Sequence, residues 1–205
     1  MFIYKVWDFA IGSNVPLPEL PECNGPAEWC FELLESRGFA PNCEWFHEWN
    51  LPDGSVWLYF GRQDSGYVLR FPGIADFLVN RRAQGVRCYP SPGVPPESIR
   101  HLFLDQVLPL VVNGPGKLVV HASAVASPYG AIAFLGRTGY GKSTLAASFS
   151  RRGFPMMTDD CLLLEEDKGR LFAVPSYPGL RLWPETVSEL FALPPELSPV
   201  AHYST

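Results

Sequence analysis

Hydrophobic and β-branched runs broken by turn residues make positions 1 to about 95 read as β-rich and punctuated. Val56-Trp57-Leu58-Tyr59-Phe60 and Tyr67-Val68-Leu69-Arg70-Phe71 are aromatic and β-branched runs on either side of Gly61-Arg62-Gln63-Asp64-Ser65-Gly66. That arrangement predicts a hairpin with a longer loop. Asp76-Phe77-Leu78-Val79-Asn80 and Val86-Arg87-Cys88-Tyr89, flanking 81–85, predict a second strand pair. Pro16, Pro18, Pro21, Pro26 and Pro41 punctuate the earlier stretch and leave room for a helix only over 27–37.

The period changes behind the Pro/Gly/Ser linker 90–96. Pro95-Pro96-Glu97 sets up a helix start, with proline in the first turn and an acid near the positive end. Ile99, Leu102, Phe103, Val107, Leu110 and Val111 then fall on one helical stripe. Pro109 is expected to weaken the last turn, and Asn113-Gly114-Pro115-Gly116 to end it. This helix is expected to dock against the C-terminal part, in a packing role.

From residue 117 the strand pattern returns. Residues 118–125 read as a strand, Ser127-Pro128-Tyr129-Gly130 as a tight turn, and Ala131-Ile132-Ala133-Phe134-Leu135 as an antiparallel partner. Residues 144–149 suit a helix that stops at Arg151-Arg152-Gly153. Residues 154–158 suit a short strand ending in Asp159-Asp160, and 184–193 look helical. Two parts follow: a β-rich N-terminal domain with its linker over 1–95, and a second domain over 96–205.

Composition narrows the function classes. The chain has 205 residues, 47% of them hydrophobic and 18% charged, as in a globular and not a disordered protein. Net charge is −5 and basic residues do not cluster, so nucleic acid is not expected as a partner. The apolar segment 102–112 is too short to span a bilayer, and no membrane role is expected. Five scattered cysteines and an N-terminus without signal-peptide order point to a reducing, cytoplasmic location. Cys23, Cys30, Cys43 and His47 lack zinc-module spacing and read as small buried thiols beside an unrelated histidine. The six tryptophans read as core or interface.

The segment that carries chemistry is Gly136-Arg137-Thr138-Gly139-Tyr140-Gly141-Lys142-Ser143-Thr144. It satisfies G-x-x-x-x-G-K-[ST] between a predicted strand and a predicted helix, the setting of a phosphate-binding loop. Its glycines let backbone N–H groups face phosphate oxygens, the helix start adds positive potential, Lys142 can reach the β- and γ-phosphates, and Ser143 can ligate Mg²⁺. ATP and Mg²⁺ are therefore the expected cofactors. Asp159 and Asp160 follow at a strand end, where one carboxylate can hold Mg²⁺ and another can accept a proton. Both can serve only if the strand is already ending there, because neighbours on a strand point to opposite faces. His121 gains weight from its expected place beside the loop strand.

Taken together, His121-Ala122-Ser123-Ala124-Val125, the loop 136–144, Arg151-Arg152-Gly153 and Asp159-Asp160 resemble the catalytic domain of HPr kinase/phosphorylase. In that family a histidine lies 21 residues before the loop lysine and an Asp-Asp pair 17 and 18 after it, as His121, Lys142, Asp159 and Asp160 do here. The resemblance covers residues 117–183. It implies an α/β fold, a nucleotide-binding domain of the HPr kinase/phosphoenolpyruvate carboxykinase type joined to the β-rich N-terminal part. It implies a serine kinase in which Asp160 takes the acceptor's proton, Asp159 supports metal or base, His121 orients that network, Lys142 neutralises the phosphoryl group and Ser143 binds Mg²⁺.

The acceptor implied is a phosphocarrier protein or, given 175–183, a precursor peptide, and relatives of this family form oligomers. The family's second metal-binding glutamate has no counterpart in Tyr177-Pro178-Gly179-Leu180-Arg181, where Arg181 could instead contact phosphate. The domain reads as C-terminally shortened at Thr205. A nucleotide-binding regulator without transfer activity and a small-molecule kinase remain the alternatives.

Overall fold

The computed structural model describes residues 1–35, 41–113, 117–137, 139–177, 179–180 and 182–191. They divide into two compact units, the first ending at Val111 and the second beginning at Val112.

The first unit is built on an eight-stranded sheet. Its strands are β1 (Phe2–Val6), β2 (Phe9–Ser13), β3 (Trp29–Leu33), β4 (Glu44–Asn50), β5 (Val56–Gln63), β6 (Gly66–Phe71), β7 (Ala75–Asn80) and β8 (Gly85–Pro90). They lie in the order β1-β2-β3-β8-β7-β6-β5-β4. Both predicted pairs form. The β5–β6 connection is tighter than the sequence suggests: pairing continues to Gln63 opposite Gly66, leaving Asp64 and Ser65 as the turn. Gly66 tolerates no side chain there, because a Cβ would fall 1.9 Å from the Val79 carbonyl oxygen.

The span 27–37, the one place left open for a helix in the N-terminal stretch, holds β3 instead. That strand runs parallel to β2 and β8 and buries Phe31. Pairing on both sides outweighs local propensity here.

The helical stripe behaves as its spacing predicts. Helix α1 (Pro96–Leu102) opens on a proline and passes into a π-helical turn, Phe103–Val107, then into α2 (Leu108–Val112). In the π turn the Leu108 N–H bonds the Phe103 carbonyl, one residue further back than in an α-helix. The widened turn ends at Val107, two residues before Pro109, whose ring would crowd a regular helix. Ile99, Leu102, Phe103 and Val107 are fully buried. The stripe up to Val111 falls in the first unit, whereas the expectation was docking against the C-terminal part. Phe103 stacks on Phe31 at 3.9 Å between centroids, and Arg100 pairs with Glu19 at 3.0 Å.

The second unit holds a five-stranded sheet: β9 (Lys117–Ser127), β10 (Gly130–Leu135), β11 (Met156–Thr158), β12 (Cys161–Asp167) and β13 (Arg170–Val174). Helix α3 (Lys142–Ser150) packs on β9, β10 and β11, and α4 (Pro184–Leu190) follows the sheet. The predicted helix extended over 184–193, of which 192–193 lie outside the described residues.

The expected α/β class is overturned. The chain is mostly β, with sheets of eight and five strands and short helices. Every pairing in the five-stranded sheet is antiparallel. For two of these pairings the cause is the length of the connection. Pro128-Tyr129 joins β9 to β10, and Lys168-Gly169, both at positive φ, joins β12 to β13. Two-residue turns can return a strand only antiparallel to its neighbour.

Phe103→Ala is expected to lower the unfolding free energy by about 3–5 kcal/mol, measured as a shifted denaturant midpoint at unchanged slope. Burial pushes the Cys88 thiol far up from its ordinary range, so it stays neutral in mild alkali. Alkylation of the native protein near pH ~8.5, mapped by mass spectrometry, should modify half-buried Cys23 and spare Cys88.

Candidate nucleotide and acid-base site

Strand β9 is bonded along both edges, and its two registers define the site. On one side Phe134 lies opposite Ser123 and Leu135 opposite Ala122, where the pairing ends and Gly136, the first residue of the loop, follows. On the other side Thr158 lies opposite Ala124 and Cys161 opposite His121. That register places Asp159 opposite Ser123 and Asp160 opposite Ala122. The Ala122 N–H donates to the Asp160 carbonyl at 3.2 Å.

Leu135, the residue before the loop, and Asp160 therefore flank the same residue of β9, Ala122, two strand spacings or about 10 Å apart. Because β10 and β11 are both antiparallel to β9, they run in one direction, and α3 carries the chain between them. Their carboxyl ends open at the same end of the sheet.

The condition set for the aspartate pair is met. Strand β11 stops at Thr158, and Asp160 adopts φ 75°, so the two carboxyl groups need not alternate as on a regular strand. His121 and Ser123, two residues apart on β9, each meet one aspartate. Ser123 Oγ donates to Asp159 Oδ1 at 2.5 Å, and both residues are buried. His121 Nδ1 lies 3.1 Å from the Asp160 carbonyl oxygen and 3.9 Å from its Oδ1. A carbonyl only accepts, so Nδ1 carries the proton in that contact and Nε2 is directed elsewhere.

On the opposite side, Gly139 and Gly141 take left-handed φ of 83° and 78°, as a tight loop around an anion requires. Lys142 opens α3 and is buried, with Nζ donating to the Arg137 carbonyl of its own loop at 3.3 Å. Ser143 and Thr144 follow in the first turn, which contains no acidic residue to oppose an incoming anion. Tyr140 projects from the loop with 73% of its surface exposed. Gly136 and Arg137 are the loop's entry; Thr138 lies outside the described residues, as do Pro178, Arg181 and the tail 192–205.

Ser123 is the residue that sequence reading passed over. Its signal is its spacing: on a strand, the residue two beyond a candidate histidine shares its face. Among the described residues no group of three or more His, Cys, Asp and Glu side chains is placed to hold a metal ion. A nucleotide-borne Mg²⁺ needs less, because phosphates and water supply most ligands and one carboxylate with one hydroxyl can complete the set. Buried Asp159, already accepting from Ser123, and Ser143 at the helix start fit that donor chemistry. Among the described residues, no helix is long and apolar enough to cross a membrane.

Comparison with protein-family models, with curated proteins and with solved structures found no match.

Ser123→Ala removes one donor from a buried carboxylate. It is expected to cost about 1–3 kcal/mol of stability, read from thermal or denaturant unfolding.

Proposed function

We propose that the chain binds ATP at the loop 136–144 and transfers its γ-phosphoryl group to a serine hydroxyl of a protein or precursor peptide. The observation that carries this reading is the register of β9, in which Ala122 has Leu135, the residue before the loop, on one side and Asp160 on the other. The spacing shared with HPr kinase/phosphorylase, of His121, Lys142 and Asp159-Asp160, supports the same reading. The likeness is one of motif spacing and not of fold class.

Each residue then has a task. Backbone N–H groups of Gly139 to Lys142 hold phosphate oxygens, and the Lys142 ammonium exchanges the Arg137 carbonyl for the β- and γ-phosphates. Asp159 and Ser143 would hold Mg²⁺, which when bound offsets the charge of the phosphate oxygens. The Asp160 carboxylate accepts the proton of the serine hydroxyl as the new O–P bond forms and the bond to the β-phosphate oxygen breaks, releasing ADP. His121, through Nδ1, steadies the Asp160 backbone and so acts as a positioning residue. Ser123 fixes Asp159.

A second reading, a nucleotide-binding regulator without transfer, is favoured by one observation. The segment 177–181 has no glutamate to supply a further metal ligand.

The test is labelled ATP with Mg²⁺ and serine-containing peptides on the full chain. Wild type should label the peptide. Asp160→Asn should retain ATP binding by calorimetry and lose about 10²-fold or more of the transfer rate. Lys142→Ala should lose nucleotide binding. ATP binding without any turnover selects the regulator, and no ATP binding contradicts both readings.

A further inference from the structure

The two edges of the eight-stranded sheet are treated differently. At the β1 edge the segment 21–23 closes over the strand: the Lys5 N–H donates to Pro21 and the Cys23 N–H to Ile3, at 2.9 and 3.0 Å, and Tyr4 bridges to Glu22. The other edge is β4. It is last in the sheet order, and among the described strands it pairs with β5. All seven of its residues are exposed. Its sequence, Glu-Trp-Phe-His-Glu-Trp-Asn, has none of the lysines or prolines that usually protect a sheet edge.

Instead it displays large rings, with Trp45, Phe46 and Trp49 exposed by 40%, 45% and 42%. A hollow of about 690 Å³ opens beside them, lined by Trp45, Phe46, His47, Glu48, Tyr59 and Arg70.

The rings already take cations from their own sheet. The Arg70 guanidinium lies 5.0 Å from the Trp45 ring and that of Arg62 4.9 Å from Phe46. Arg70 is neutralised by a bidentate pair with Asp76, at 2.7 and 2.8 Å. The β4–β5 hairpin carries Glu44, Glu48 and Asp53 against the single basic residue Arg62. The charge that the patch lacks is positive.

We propose that β4 is a docking edge for an extended peptide segment bearing lysine or arginine side chains, which adds to the sheet as a further strand. The partner's backbone takes the outward N–H and C=O groups of β4. Its cationic side chains take the aromatic faces and the Glu48 carboxylate. The assignment is independent of the nucleotide reading, because none of these residues belongs to the second unit.

Calorimetric titration of the full chain tests it with three blocked peptides of equal length: alternating lysine and valine, its glutamate counterpart, and the lysine peptide with alternate amides N-methylated. The lysine peptide should bind saturably, and the other two at least about tenfold more weakly. Glu44→Lys with Glu48→Lys, both exposed positions, should weaken the lysine peptide by a similar factor and favour the glutamate peptide. Absence of saturable binding, equal binding of all three peptides, or indifference to the charge reversal overturns the proposal. So does a concentration-dependent dimer in sedimentation that Trp45→Lys with Trp49→Lys abolishes, since a second copy would then occupy the edge.

Discussion

The register of β9 is the constraint on which the candidate site depends. A strand of eleven residues, hydrogen-bonded along both edges, cannot slide without breaking two ladders at once. A slip of one residue would also turn His121 and Ser123 to the other face and bring Ala122 and Ala124 out of the core. Hydrophobic packing therefore holds the polar row in place. Alternate positions of one strand serve burial and chemistry, and neither can be shifted without the other.

The helix that follows the loop is tied to the same row. Ala146 and Ala147 of α3 are buried, and small side chains let a helix approach a sheet closely. Phe149 anchors the helix between Phe134 and Phe154, with ring centroids 5.3 Å away on each side. Lys142 is thereby fixed at the first position of a packed helix, where burial of its ammonium is tolerated by the Arg137 carbonyl. A buried cation held by one long neutral contact is the kind of group that an anion can recruit at small cost in reorganisation.

What the sequence made legible follows from range. Local signals read well: the β9–β10 hairpin from Ser127 to Gly130, the β7–β8 pair, the helix start at Pro96, and the strand–loop–helix passage through 130–150. The convergence of His121 with Asp160 was also anticipated, but from spacing along the chain. The contacts that realise it, Ser123 with Asp159 and Ala122 with Asp160, arise only when β12 returns along β9. No local rule specifies that pairing. The class assignment failed for the same reason: a phosphate-loop motif describes one passage through a sheet, whereas class is decided by how every other strand returns. Strand β3 was hidden because its parallel neighbours, β2 and β8, are distant in sequence. The partner of α1 was not legible, because an apolar stripe shows that a partner exists and not which one.

The central claim is that one face of β9 gathers a phosphate loop and an acidic pair around a single ligand. Binding of Mn²⁺–ATP to the isotope-labelled chain, followed by paramagnetic broadening of backbone amide signals, tests it most directly. The account predicts saturable loss of the signals of Gly139, Gly141, Lys142, His121 and Asp160 together. Broadening of the loop without His121 and Asp160, or of neither, would contradict it.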